Sequence, residues 1–390
     1  MDNIKLLYID LFCGAGGTST GVENATLGGQ RCAKVVACVN HDPNAILSHQ
    51  ANHPDTLHFI EDIRTLDLTA LIAHLNRMRA KHPTALVMLW ASLECTNFSK
   101  AKGGQPRDAD SRTLAAHLFR YIETLRPDYI QIENVEEFMS WGDMDENGHP
   151  ISKDKGKSYV RWVNNVCKYG YYFDWHILNA ADYGAYTSRK RFFGQFALHG
   201  LPIAFPKATH AKCPAKYEHS LFPADNMQPW KPVREVLDLN NEGESIFGRK
   251  KPLVEKTLER IYAGLIKFVA GGKEAFIVKW NSINGKTGKY VPPSIDEPSQ
   301  TITANRKWHY LMNPYSFKSD GGSIDKPCFT LIARMDKMPP YLVSTKEGLA
   351  IEVYETDSPA TIQIKEFMAL YGIADIRMRM LRIPELKRIM

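Results

Sequence analysis

The chain has no Cys-x-x-Cys pair and no finger-like histidine spacing, although it carries seven cysteines, at 13, 32, 38, 95, 167, 213 and 328. An odd, scattered set excludes a disulfide framework and points to reduced thiols in a cytoplasm-like compartment; no metal ligand set is expected. No apolar run nears the roughly 18 residues that span a bilayer. The start, MDNIKLLYIDLFCGAGG, lacks the basic head and long apolar core of a secretion signal. Charge of one sign is also scarce: a net +6 permits a polyanionic partner without requiring one. Hydrophobic residues at 44% and charged residues at 24% exclude a disordered chain. At 390 residues the chain is too long for one ordinary domain and suits a large domain plus a smaller one.

What is present is an alternation of short apolar runs and amphipathic stretches up to about residue 200. The runs are Ile4–Phe12, Lys34–Val39, Leu86–Trp90, Tyr129–Glu133, Tyr172–Leu178 and Phe192–Leu198. Leu68–Arg79 and Leu114–Leu125 carry apolar residues at helical spacing between them. The pattern predicts a doubly wound α/β domain, with a mixed, mostly parallel sheet. Beyond it Pro and Lys become frequent, and one helix is expected at Pro252–Val269. Between Arg249 and Lys289 ten Lys or Arg stand against three Glu, interleaved with Phe276, Trp280 and Tyr290. Such a stretch is either a solvated face or a phosphate contact. A weak repeat, Ser294-Ile-Asp-Glu-Pro-Ser-Gln-Thr-Ile and Ser323-Ile-Asp-Lys-Pro-Cys-Phe-Thr-Leu, echoes again at Asp357-Ser-Pro-Ala-Thr-Ile. Turns leading into strands fit a small β-rich domain.

Several strand ends carry chemistry. The first run ends in Asp10-Leu-Phe-Cys-Gly-Ala-Gly-Gly before a helix start near Thr18. Glycines there make either a tight turn or a backbone approach to a ligand. Asn40, then His41, ends the second run, where a polar side chain commonly holds a ribose hydroxyl. Asp62 and Ile63 follow the short run Leu57–Ile60, with Asp62 able to accept from an adenine amino group. Cys95 lies in the loop after Leu86–Trp90, as either a small buried hydrophobe or an exposed thiol. Glu133 closes the next run, as either a helix cap or a proton donor. Arg189 and Arg191 alternate onto one strand face, available to a carbonyl oxygen or a phosphate.

In this order the motifs resemble those of the DNA (cytosine-5)-methyltransferases of bacterial and phage type: Asp10-Leu-Phe-Cys-Gly-Ala-Gly-Gly, Cys95 followed by Phe98-Ser99, Asp110-Ser-Arg112, Glu133-Asn134-Val135 and Arg189-x-Arg191. The resemblance covers roughly 1–200 well and 375–390 weakly. It implies a Rossmann-like catalytic domain at 1–204 that binds S-adenosylmethionine. A β-rich target-recognition domain would occupy 205–360, and a helical segment at 361–390 would return to the catalytic domain. By the same resemblance Cys95 is the nucleophile that adds to a flipped cytosine. Glu133 faces ring nitrogen N3, and Arg191, supported by Arg189, grips the base carbonyl. Phe12, Gly14 and Gly16 pack around the methionine part of the cofactor. Double-stranded DNA is then the partner and restriction–modification the setting. A DNA-binding homologue without catalysis and an RNA cytosine methyltransferase are the rival readings.

Three positions depart from the family pattern: Glu94 for Pro before Cys95, Asn40 for Glu at the ribose, and Thr187 for Gln before the arginines. An acidic neighbour disfavours a thiolate. The family's closing Gly-Asn-Ala-Val segment is not found after Arg388, so the expectation is a truncated or split enzyme, with a second chain or missing segment completing the cofactor pocket.

Overall fold

The computed structural model describes residues 3–93, 110–142, 156–214, 227–270, 309–312, 322–329, 341–347 and 352–389. They fall into two compact units, 1–179 with 190–207, and 180–189 with 208–390. Among the described residues no helix is long and apolar enough to cross a membrane.

In the first unit the apolar runs become strands β1 (Leu6–Leu11), β2 (Ala33–Asn40), β3 (Leu57–Ile60), β4 (Leu86–Ser92), β5 (Tyr129–Asn134), β6 (Tyr171–Asn179) and β7 (Lys190–Leu198). Their order across the sheet is β3-β2-β1-β4-β5-β7-β6. The first five are parallel, and β7 runs antiparallel to both β5 and β6. Continuous apolar sequence suits β1 because both of its faces are covered. Leu7, Ile9 and Leu11 enter one core with Leu71, Leu75, Leu118 and Trp162. Tyr8 points the other way, packing with Val35, Met88 and Tyr129.

The helices of this unit are α1 (Gly17–Glu23), α2 (Pro43–Asn52), α3 (Thr69–Lys81), α4 (Asp110–Leu125) and α5 (Lys157–Cys167). The start of α2 follows from its sequence: Asp42 accepts the Asn44 N–H at 2.8 Å, and Pro43 takes the first helical position, where a missing N–H costs nothing.

The second unit holds the predicted helix as α6 (Glu255–Phe268), followed by α7 (Pro359–Tyr371) and α8 (Ile383–Ile389). Its sheet consists of β8 (Glu244–Ser245), β9 (His309–Met312), β10 (Gly322–Ser323), β11 (Tyr341–Glu347) and β12 (Ile373–Met380), in the order β8-β12-β11-β9-β10. Leu258, Ile261 and Leu265 of α6 pack with Ile364, Phe367 and Met368 of α7 and Ile376 of β12.

One expectation changes here. The 361–390 segment is not helical throughout: Gly372 ends α7 at φ 63°, and the chain then enters β12, with Ile373, Ile376 and Met378 buried. The third echo of the repeat opens a helix, because Ser358 caps it and Pro359 follows. The first copy of the repeat lies outside the described residues. In the basic stretch, Arg249 spends its guanidinium on the carbonyls of Ser245, Glu244 and Met378, so it serves the fold. Residues 271–289 of that stretch lie outside the described residues.

A buried ion pair ties β12 to α8. Arg379 donates twice to Glu385, at 2.8 Å each, and also to the Asp238 carbonyl at 2.7 Å. Glu385 accepts the Asp238 and Arg382 N–H groups as well. Burial pushes the Glu385 carboxyl up, but the Arg379 guanidinium and the two main-chain donors outweigh it and hold the group low. A carboxylate depressed in the folded state gives stability that is present above its unfolded value and lost as pH falls through the folded one. Glu385→Ala should destabilise this unit by about 3–5 kcal/mol in urea denaturation near neutral pH, since it strands a buried guanidinium. The deficit relative to wild type should shrink on acidification.

Candidate active site

The carboxyl ends of the parallel strands line one edge of the first unit. The register sets Leu11 beside Val39 and Ala91, Asn40 beside Ile60, and Ser92 beside Glu133. Asp62, Asn40, Asp10 with Phe12, and Glu133 therefore occur in that order at the ends of β3, β2, β1 and β5.

After β1 the chain turns sharply. The Phe12 and Cys13 N–H groups donate to the Val39 carbonyl, and Gly16 caps α1. Phe12 has φ 61°, a left-handed conformation that costs a non-glycine residue energy and persists only when its surroundings enforce it. Gly16, at φ 94°, has no room for a side chain: a Cβ there would stand 3.0 Å from the His53 ring and 3.1 Å from His49. Gly14 differs, since a Cβ would meet nothing within 4 Å, which leaves an open cradle above the turn.

Beneath the turn lies a polar chain that the sequence did not announce. Asp10 is 1% exposed, and its Oδ2 accepts the Ser19 hydroxyl at 2.7 Å. Ser19 Oγ in turn stands 2.9 Å from His49 Nε2. His49 Nδ1 lies 2.9 Å from His58 Nε2 and 3.7 Å from Cys38 Sγ. Next to it, His53 bonds Glu23 at 2.9 Å and Thr20 at 3.1 Å, and Glu23 pairs with Arg31. Burial pushes the Asp10 carboxyl up to about 7, with Ser19 and His53 pulling the other way. Burial, with His53 and His58 adding to it, pushes His49 down to about 4. The available sequence signal was His49 and His53 four residues apart, which places two imidazoles on one helix face.

Among the expected cofactor residues, Asn40 is half-buried and its Oδ1 accepts the Asp42 N–H at 2.9 Å. His41 is exposed beside it. Asp62 is engaged by Arg64, whose Nε reaches both oxygens and whose Nη2 stands 2.6 Å from Oδ2. That hydrogen bond, more than the charge itself, lowers the carboxyl below its usual range. Ile63 is buried, and α4 pins its loop: Tyr121 donates to the Ile63 carbonyl at 2.9 Å, and Arg120 reaches the Arg64 and Leu66 carbonyls.

At the other end of the edge, Glu133 Oε1 pairs with Arg191 Nε at 3.1 Å, both side chains 19% exposed. Arg191 also donates to the Lys190 carbonyl. Arg189 belongs to the second unit, where its carbonyl accepts the Ala180 N–H, so the two arginines do not share one unit. Cys95 and Glu94 lie outside the described residues, in the segment that follows Leu93. The side chains of Asp110, Ser111 and Arg112 are likewise not described.

The raised Asp10 carboxyl has a stability consequence of definite sign. Between about 4 and about 7 the folded chain keeps a proton that the unfolded chain has released, so Asp10 lowers stability as pH rises across that window. Asp10→Asn can still accept from Ser19 and does not titrate. In denaturant melts at about pH 5 and about pH 8, the variant should gain on wild type at the higher pH.

A family model described as C-5 cytosine-specific DNA methylase matches residues 6–291. Type II methyltransferase M1.HphI of Haemophilus parahaemolyticus is 25% identical over 319 residues, covering 80% of this chain and 74% of that protein. Type II methyltransferase M.AquIA of Picosynechococcus sp. is 27% identical over 237 residues, covering 59% of this chain and 86% of the relative. Type II methyltransferase M.XorII of Xanthomonas oryzae is 29% identical over 205 residues, and this chain spans only 43% of its length. Among solved structures, the Entamoeba histolytica methyltransferase EhMeth aligns with a TM-score of 0.43 and 16% identity, over 67% of this chain and 66% of that one. The family match takes in the glycine turn, Asn40, Asp62, Glu133 and Arg191 together: the chain belongs to the C-5 cytosine-specific DNA methylase family.

Proposed function

We propose that the chain methylates carbon 5 of cytosine in double-stranded DNA, with S-adenosylmethionine as methyl donor. The observation that carries this reading is the alignment of the Gly14 turn, Asn40, Asp62 and the Glu133–Arg191 pair along one edge of one sheet. Open strand edges of this kind are where α/β folds bind ligands.

The residues present fit an adenosine-bearing cofactor. The cradle at Gly14 is open, and among the described residues Asp10 Oδ1 is a buried carboxylate oxygen without a hydrogen-bond partner. Phe12, Gly14 and Gly16 would hold the methionine part, with Asp10 beneath them. Asn40 and His41 would take the ribose, and Asp62 and Ile63 the adenine. Asp62 must share its carboxylate with Arg64 to do so. The cofactor, when bound, supplies an electrophilic methyl group.

The chain's own residues supply the rest. Carbon 5 of cytosine is a poor nucleophile, and C6 is unreachable in a stacked duplex, so the base must be flipped out. Cys95 Sγ then bonds C6, and the C5–C6 π pair moves onto C5. After C5 is methylated, a base removes its proton, the C5–C6 double bond re-forms and the sulfur leaves. Glu133 would hydrogen-bond N3 and offset charge that builds on the ring, held in place by Arg191. The second unit, 208–390 with 180–189, would read the duplex through its Lys, Arg and aromatic side chains.

The test is a duplex carrying 5-fluorocytosine, incubated with the chain and S-adenosylmethionine and read by denaturing gel and mass spectrometry. Fluorine at C5 cannot leave as a proton, so the adduct should persist, and Cys95→Ala should abolish it. Arg191→Ala should slow adduct formation by about 10²–10³-fold while cofactor affinity stays unchanged. Duplex binding without adduct or cofactor binding would overturn the catalytic reading in favour of a DNA-binding homologue. An adduct on structured RNA alone would overturn the choice of substrate.

A further inference from the structure

The geometry points to a buried zinc site formed by Cys13, Cys38 and His49, directly behind the glycine turn. The two sulfurs and a ring nitrogen of His49 lie within 4.8 Å of one another, and all three residues are buried. Sequence spacing conceals the set, which the fold assembles. Cys13 leaves the end of β1, Cys38 sits in its parallel neighbour β2, and α2 delivers His49.

Hydrogen-bond polarity orients the histidine. Ser19 gives its single hydroxyl proton to Asp10, so its oxygen accepts from His49 Nε2–H. With Asp10 ionised, this polarity puts the His49 proton on Nε2 and turns the Nδ1 lone pair toward Cys38 Sγ, 3.7 Å away, and His58 Nε2, 2.9 Å away. Ligand atoms around a tetrahedral zinc, at bonds of about 2.0 Å to nitrogen and about 2.3 Å to sulfur, stand about 3.5 Å apart. The nitrogen–sulfur spacing is thus near its metal-bound value. A carboxylate acting behind a metal-bound imidazole is the usual device for orienting it, and here Asp10 acts through Ser19. The fourth corner is left to a water, since His58, though its Nε2 lies 2.9 Å from His49 Nδ1, stands outside the cluster of the three ligand atoms.

The charge balance suits a buried site. Two thiol protons leave to solvent, and the dication with two thiolates is neutral. It would clamp β1, β2 and α2 together beneath Phe12 and Gly14. The alternative is two cysteines acting as small core residues beside a core histidine.

The full chain, stripped of metal under reducing conditions, should be titrated with Co²⁺ alone. One Co²⁺ per chain should bind, with a thiolate-to-cobalt charge-transfer band and the intense d–d bands of a tetrahedral site, and Zn²⁺ should displace it. Cys38→Ser and His49→Gln should lose the bands, whereas Cys213→Ser, at an exposed thiol, should keep them. Ser19→Ala, a positioning change, should weaken cobalt affinity by about 10–100-fold. Because a ligand variant can fail to fold, X-ray absorption of the zinc-loaded wild type reads the coordination shell without any substitution. Two sulfurs and at least one nitrogen around zinc support the site. A shell without sulfur, or no stoichiometric cobalt spectrum, overturns it.

Discussion

One carboxylate inside an otherwise apolar strand governs the first unit. Asp10 sits in β1, an interior strand of the sheet, where burying an unpaired charge would be prohibitive. The fold answers by bringing α1 and α2 onto it: Ser19 donates to Asp10, and His49 stands behind Ser19. His49 and its neighbour His53 press on Gly16, which is why the turn must carry glycine there. Cofactor-side geometry is in this sense a by-product of satisfying one buried acid.

At two of the remaining strand ends a carboxylate is paired with an arginine. Asp62 has Arg64, and Glu133 has Arg191. These pairs are partly exposed, so their value lies in orientation more than in stability. Arg120 and Tyr121 add main-chain anchors to the Ile63 loop, fixing the backbone of residues that the cofactor reading assigns to the adenine. The edge is therefore polar, held in position and composed of groups that can exchange partners when a ligand arrives.

Strands were legible in the sequence because buried parallel strands read as continuous apolar runs: Leu86–Trp90 became β4 and Tyr129–Glu133 became β5, each to within two residues. Motif residues were legible because strand ends are fixed by the runs before them. What escaped was everything assembled by contact across the sheet. Nothing in the spacing of Cys13, Cys38 and His49 reveals that β1 and β2 are neighbours and that α2 covers them. Arg249 read as one more charge in a basic stretch, yet three carbonyls from two segments consume it. Strand β12 was hidden by arginines alternating with its apolar residues, a pattern equally readable as an amphipathic helix end. The placement of Arg189 and Arg191 in different units follows from the chain leaving one unit at Asn179 and re-entering it at Lys190, which no local pattern announces.

Asp10 stands at the end of a proton-donating relay, Ser19 to Asp10 and His49 Nε2–H to Ser19. Long-range ¹H–¹⁵N correlation spectra of the metal-free chain, with ¹⁵N-labelled histidine, report the His49 tautomer directly. At neutral pH such a relay predicts a neutral ring with the proton on Nε2. A proton on Nδ1, or a doubly protonated ring, would contradict it.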